Sequence, residues 1–354
     1  MTQLYWDLGT AYDLFISLVV LHNPDEYELP GAWAAGMRAR LTGPEREILE
    51  QSELFLHVPF HWIYTLPQPK DAAAVIWTLG QVPAAERLPL LAFGPDAHLA
   101  ALNQIFRAIM SRGSWNEQDR EAIRTGWNEH FKSRQRRPLS TTDLDVMLKW
   151  CTHPAEFGER YLKALRAYQD VFFAEEENRI RPALEEAQSR GKELAQKLPL
   201  PDLLEELSQG LRPEQPDRFA ELVLAPAYWP TPLVYIGKVN PQRDIWVFGA
   251  RPSGASLVPG EVVSDTMVRA LKALSDPTRL RILQSLGEGS TSPTQLAREL
   301  RLRAPTVLHH LQILRLAGLV QVTLDQDTNV KSYAARPEAV AGTFATLDHF
   351  LEKK

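Results

Sequence analysis

The sequence predicts a mainly α fold in two parts: a large helical N-terminal domain with a small antiparallel sheet, then a smaller C-terminal unit of short helices closed by a hairpin. Three observations carry this reading. Apolar residues recur at i, i+4 and i+7 through most of the chain. A segment rich in Pro and Gly, Ala250 to Gly260, interrupts the pattern as a linker would. All nine tryptophans, at positions 6, 33, 62, 77, 115, 127, 150, 229 and 246, lie before that segment, so the two parts have different cores. The 354 residues suit two or three domains, and a hydrophobic content of 44% is ample to build them. The expected division is 1–215 helical, 216–250 a small β element of the same domain, 251–262 linker and 263–354 the C-terminal domain.

Taken in order, Trp6 to His22 reads as a helix on the spacing of Ala11, Leu14, Phe15, Leu18 and Val19, ended by Asn23-Pro24. Helices follow at about Gly31–Leu41, Pro44–Leu54, Asp71–Leu79, Asp96–Ser111 and Asn116–Ser133, with Pro59, Pro67, Pro69 and Pro83 punctuating the middle of the series. From Thr141 to Leu198 the chain reads as almost wholly helical, broken near His153-Pro154 and at Pro182. The ladder Phe157, Tyr161, Leu165, Tyr168, Phe172 marks its longest helix. Leu203–Gln209 is a short helix stopped by Gly210. Phe219–Leu224, Leu233–Ile236 and Asp244–Phe248 are short, rich in branched and aromatic residues, and separated by Pro, Gly and Asn; they supply the sheet.

The C-terminal unit is the sharpest part. Asp276 caps a helix with Pro277 at its first position, and this helix ends near Gly287. Ser292 caps a second, with Pro293 at its first position and Gln295 where a capping box needs an amide. After the polar link Arg301–Arg303, a third helix from Ala304 to Leu316 carries Val307, Leu311 and Leu314 on one face and stops at Gly318. Leu319–Thr323 and Val330–Ala334 then read as a hairpin, a wing beside a helix-turn-helix. The runs "LSDPTRLRIL" and "PTVLHHLQILRLAGLV", with Tyr333 closing the wing, resemble the winged-helix repressors of the ArsR family over roughly residues 263–354. "WDLGTAYDLFISLVVLH" and "FGARPS" are similar to the long N-terminal region of some ArsR-type regulators of bacteria, a region with no chemistry to carry over.

The resemblance implies double-stranded DNA as partner and a homodimer that sets two third helices about 34 Å apart on an inverted repeat. The side of the Ala304–Leu316 helix opposite its apolar stripe carries Thr306, His309, His310 and Gln312, all able to hydrogen-bond base edges or phosphates, with charge from Arg301, Arg303 and Lys331 and a wing loop near Gln326–Lys331 expected on the adjacent minor groove. The outer apolar stripes Met267, Leu271, Leu274 and Val340, Phe344, Leu347, Leu351 are the expected dimer seam. Two positions depart from the family pattern: Arg303 stands where a serine cap is usual, and Leu308 where a serine often lies one turn in. A winged helix used only for protein contacts is the alternative.

Charge distribution supports a DNA reader. The whole chain has 39 basic and 44 acidic side chains, yet residues 263–354 hold 12 Lys plus Arg against 9 Asp plus Glu, a net of +3, leaving −8 for the first 262. The cluster Lys132–Arg137 either touches flanking DNA or is a solvated helix end. The metal-sensing sets of the resembling family are missing: the winged part has no cysteine, and Asp348, His349 and Glu352 lack a second histidine. No metal or other cofactor is expected.

No phosphate-cradling Gly loop, nucleophile elbow, metalloprotease helix or CxxC pair occurs, so an enzyme is not expected. The single cysteine, Cys151, excludes an intramolecular disulfide, and with no signal peptide or membrane span the expected setting is the bacterial cytoplasm. Three readings of the N-terminal domain stay open: a pocket for a small-molecule effector, a partner or dimerisation surface, or an unrecognised enzyme. Its tryptophans line such a pocket or fill a large core.

Overall fold

The computed structural model describes residues 2–27, 29–131, 139–215, 218–324 and 331–352. The chain begins with a strand, β1 (Gln3–Trp6), and enters helix α1 (Ala11–His22) only after a turn at Gly9. This corrects the helix expected from Trp6. Leu4-Tyr5-Trp6 pairs with a strand some 220 residues away, and a Cβ on Gly9 would lie 2.4 Å from Lys70 Cβ, so only glycine lets the two segments pass this closely. Helix α1 runs through the centre of the core, with Ala11, Tyr12, Leu14, Ile16 and Val20 wholly buried.

Against it pack α2 (Gly31–Arg38), α4 (Phe60–Ile63) and α5 (Ala72–Gln81), while α3 (Gly43–Ser52) and α6 (Ala84–Ala92) pack on the later helix Pro154–Tyr168. Helix α6 carries Pro89 inside it, which hid it in the sequence. Helices α7 (Ala100–Arg112), α8 (Glu117–Phe131) and α9 (Thr141–Thr152) build a satellite core of Leu102, Phe106, Ile109, Ile123 and Met147. Residues 132–138, which include the basic cluster, lie outside the described residues.

The long helical stretch divides differently from the expectation. Helix α10 (Pro154–Tyr168) passes through one π-helical turn, Gln169–Phe173, into α11 (Ala174–Ala195), and Pro182 sits inside α11 without ending it. Helix α12 (Leu200–Leu207) and strand β2 (Leu211–Pro213) follow.

Strands β3 (Glu221–Ala227), β4 (Tyr235–Asn240) and β5 (Arg243–Gly249) join β1 in the order β1-β3-β5-β4. The expected antiparallel sheet is therefore a mixed one: β1 with β3 and β3 with β5 are parallel, and only β4 with β5 is antiparallel. Strand β5 inserts between β3 and its chain neighbour, an order that local turn signals do not reveal. Burial follows, since β3 is covered on both faces, as inner parallel strands are.

The C-terminal part comprises α13 (Asp265–Leu274), α14 (Pro277–Gly287), α15 (Pro293–Glu299), α16 (Ala304–Leu316), the hairpin β6 (Val320–Leu324) with β7 (Lys331–Ala335), and α17 (Pro337–Glu352). Ile282, Leu286, Leu296, Val307, Leu311, Leu314 and Tyr333 form its own core. This winged helix does not stand apart. Strand β2, from the segment assigned to the N-terminal domain, pairs in parallel with β6 and makes the wing a three-stranded sheet, β2-β6-β7.

Candidate nucleic-acid interface

Caps fix the starts of α15 and of α14, the helix before it. Ser292 Oγ accepts the Gln295 backbone N–H at 3.2 Å, and Asp276 Oδ1 accepts that of Arg279 at 2.9 Å. Helix α16 starts instead at Arg303 with no side-chain cap, and Pro305 sets its first turn. Arg301 in the link takes a left-handed conformation (φ 55°), unusual for a residue with a side chain.

The buried stripe of α16 is Val307, Leu311 and Leu314; on the outer face Arg303, Thr306, His309 and Gln312 are exposed, joined by Arg301 from the link and Lys331 from the start of β7. His310 departs from the set. Its ring is half-buried beside Asp276 and Arg279 of the α14 start, its Nδ1 is buried, and burial holds the imidazole below the ordinary histidine range against the pull of Asp276. Arg298, exposed in the last turn of α15, adds a cation that sequence reasoning passed over. Of the expected wing loop, residues 326–330 lie outside the described residues.

Several cations counted in the winged part face inward. Arg315 Nη1 and Nη2 donate to the carbonyls of Gln209 and Ser208, both at 3.0 Å. Arg336 Nη1 donates to Gln209 O at 2.9 Å and Gly318 O at 3.0 Å. Arg269 reaches Tyr27 O at 2.6 Å and Leu316 O at 3.2 Å. Arg315 and Arg336 thus meet the two carbonyls that follow α12, at the end of the helix whose dipole favours cations. Burial pushes the Arg315 guanidinium down to about 10, which leaves it charged at neutral pH. The signal was present: Arg315 continues the stripe Val307, Leu311 at i+8, and a charge on a core stripe implies a buried partner.

The apolar stripes also divide. Met267 is buried within the chain, and Leu274 and Val340 pack on the winged core. Leu271 and Leu347 are half-buried, while Phe344 is 50% and Leu351 68% exposed. Among the described residues, no group of three or more His, Cys, Asp or Glu is placed to hold a metal ion. No described helix is long and apolar enough to cross a membrane.

Residues 276–322 match the family described as "Bacterial regulatory protein, arsR family". "HTH-type transcriptional regulator Rv2034" of Mycobacterium tuberculosis (strain ATCC 25618 / H37Rv) is 35% identical over 83 residues, 23% of this chain and 75% of that protein. The chain belongs to the arsR family of bacterial regulatory proteins. "HTH-type transcriptional regulator CmtR" of the same organism is 43% identical over 65 residues, 18% of this chain and 55% of that protein, so the chain spans about half the length of this relative. A solved structure, "Crystal structure of ArsR family transcriptional regulator, RHA00566", is 24% identical and matches 25% of this chain and 94% of that one, with a TM-score of 0.22. The arsR family match leaves residues 1–275 outside it.

Proposed function

We propose that this arsR-family chain is a sequence-specific DNA-binding transcriptional regulator, acting as a homodimeric repressor on an inverted-repeat operator in the cytoplasm. The outer face of α16 carries the reading: Arg303, Thr306, His309 and Gln312 stand opposite the buried Val307, Leu311 and Leu314. Hydroxyl, imidazole and amide groups suit base edges, and the guanidinium and ammonium groups suit phosphates. The names of the relatives, transcriptional regulators of the HTH type, support the same reading. In it Lys331 contacts backbone from the wing, and His310 positions α16 instead of touching a base. The N-terminal half regulates and does not catalyse.

The dimer seam in this reading is narrower than the full stripe. Met267, Leu274 and Val340 are already covered by the chain itself, so a second copy docks on Phe344, Leu347 and Leu351, with Leu271 at the edge. Phe344→Asp puts a charge into that seam; sedimentation should then show monomer, and operator binding should fail with it. A variant that stays dimeric places the seam elsewhere. For the DNA face, Arg303→Ala and Lys331→Ala should each weaken binding to all sequences and reduce the salt slope by about one unit. An unchanged slope in both would remove these contacts and leave the protein-contact alternative.

A further inference from the structure

The turn that follows α12 is gripped by three elements of the winged part. Helix α12 ends in a closed cap, in which the Gln209 N–H donates to Glu206 O at 3.2 Å and the Gly210 N–H to Glu205 O at 2.8 Å. Gln209 takes the left-handed conformation of this cap (φ 53°), at a position that glycine usually fills. The carbonyls of Ser208, Gln209 and Gly210 accept instead from the C-terminal part. Arg315, near the end of α16, donates Nη2 to Ser208 O and Nη1 to Gln209 O, both at 3.0 Å. Arg336, just before α17, donates Nη1 to Gln209 O at 2.9 Å, and the Val322 N–H of β6 donates to Gly210 O at 2.7 Å.

The fit is close. A Cβ on Gly210 (φ 107°) would lie 2.9 Å from Arg336 Cδ and 3.1 Å from Val320 O, so the wing approaches the turn as only glycine allows. Arg315 and Arg336 share one carbonyl, and their like charges oppose each other. The Arg315 guanidinium is buried against neutral carbonyls, an arrangement that stabilises a fold less than an apolar side chain of the same size would. On its other side α12 is seated in the N-terminal half: Leu203, Leu204 and Leu207 pack with Leu222 and Leu224 of β3 and with Trp246 and Phe248 of β5. The turn therefore moves with the N-terminal half. What it grips are the end of the DNA-facing helix, a strand of the wing and the start of the helix that carries Phe344 and Leu351.

We propose that the turn 208–211 is the joint by which the N-terminal half sets the orientation of α16 and the wing on DNA, with Arg315 and Arg336 as its positioning residues. Neither side chain touches DNA in this role. A winged helix held in place forms its several base contacts together, whereas one that must be oriented on binding loses part of that affinity to ordering. Binding to random duplex, which needs only phosphate contacts, is spared. The positioning role rests on the DNA reading proposed above; the joint as a separable unit of the fold does not.

The test has two arms, both on the full chain. Without DNA, hydrogen exchange reads the joint: in Gly210→Ala the amides of the turn and of β6 should exchange about tenfold faster or more, with those of α1 and α14 as protected as in the native chain. Unchanged exchange at the turn, or an equal loss everywhere, would overturn the joint as a separable unit. With DNA, the probes are a duplex recovered from a random pool by the native chain and a random duplex of equal length. Gly210→Ala and Arg315→Met should each weaken binding to the recovered duplex by about tenfold, leave binding to the random duplex within about twofold, and keep the native salt slope. Arg315→Met, which replaces a buried cation by an apolar chain, serves in both arms if Gly210→Ala fails to fold. Arg336→Lys, which keeps a cationic donor, should lose less than Arg336→Met. A slope reduced by about one unit in Arg315→Met would make Arg315 a phosphate contact, and equal losses on both duplexes would make its role structural only; either result overturns the positioning. If the native chain recovers no preferred duplex, the DNA reading fails by itself, and the exchange arm still decides the joint.

Discussion

In the N-terminal half, Asp7, Asp13, Lys70, Arg87, Glu176 and Glu177 lie inside the fold, each buried among aromatic and aliphatic side chains. The winged-helix core of Ile282, Leu286, Leu296, Val307, Leu311 and Leu314 is apolar, and Arg298, Arg301 and Arg303 stay outside it. Where the winged part does bury charge, as with Arg269, it does so at the seam with its neighbour. An apolar core is specified by local periodicity, whereas a charged one is specified by partners far apart in the chain. Asp7 meets Lys70 at 2.6 Å and accepts the Tyr12 hydroxyl at 2.5 Å; Thr10 donates to Glu177, which also accepts the Ala72 N–H at 3.0 Å. The first half therefore adds a buried electrostatic network to its apolar cores, whereas the winged-helix core rests on packing alone.

The largest effect should come from Lys70→Met, which leaves Asp7 buried without its cation and costs about 3–5 kcal/mol. Since every tryptophan precedes the winged helix, urea unfolding followed by tryptophan fluorescence reads this loss in the right half. A fluorescence midpoint that does not move would break the comparison. Leu311→Ala should cost about 3 kcal/mol by opening a cavity in the winged core. Far-UV circular dichroism should register an early loss of helix, with the tryptophan transition less affected. If both transitions shift equally, β2 and the arginine contacts bind the halves into one unfolding unit.

Asp13 sharpens the comparison through pH. Burial pushes its carboxyl up to about 7 from 3.8, against the Trp229 and Tyr228 N–H groups that favour the charged form and with Glu176 adding to the rise. A carboxyl raised in the folded state contributes stability that is full below the unfolded value of 3.8 and is lost as pH rises through about 7. Asp13→Asn should thus be more stable than the native chain at pH 8, by on the order of 2 kcal/mol once relaxation around the carboxylate is allowed for, with the gain vanishing near pH 4. Urea midpoints at the two pH values decide it, and a gain equal at both would assign the effect to packing. The smallest change is Gly318→Ala. Gly318 ends α16 at φ 71°, and a Cβ there should cost about 1 kcal/mol, seen as a small drop in the thermal midpoint.

The same contrast explains what was legible. Helix α16 lies where its apolar stripe and Gly318 put it, and α14 and α15 start at the caps Asp276 and Ser292, because caps, stripes and stops act over a few residues. The hairpin was displaced by one residue. Strand β1 was missed because its partner is Glu221–Leu224, and the sheet was given the wrong sense because β5 enters between β3 and β4. On the interface, Thr306, His309 and Gln312 follow from helical phase alone. The inward turn of His310 and the buried partners of Arg315 and Arg336 depend on α14 and α12, which periodicity within α16 does not locate. The tryptophans mostly fill cores: Trp150 and Trp229 are wholly buried, whereas Trp77 is 65% exposed.

The central claim, that the outer face of α16 reads DNA sequence as part of a dimer, is tested most directly by selecting bound duplexes from a random pool with the purified full chain at near-physiological salt. The account predicts recovery of an inverted repeat with half-sites about 10 base pairs apart. Recovery of no motif, with only weak and salt-sensitive binding, would contradict it.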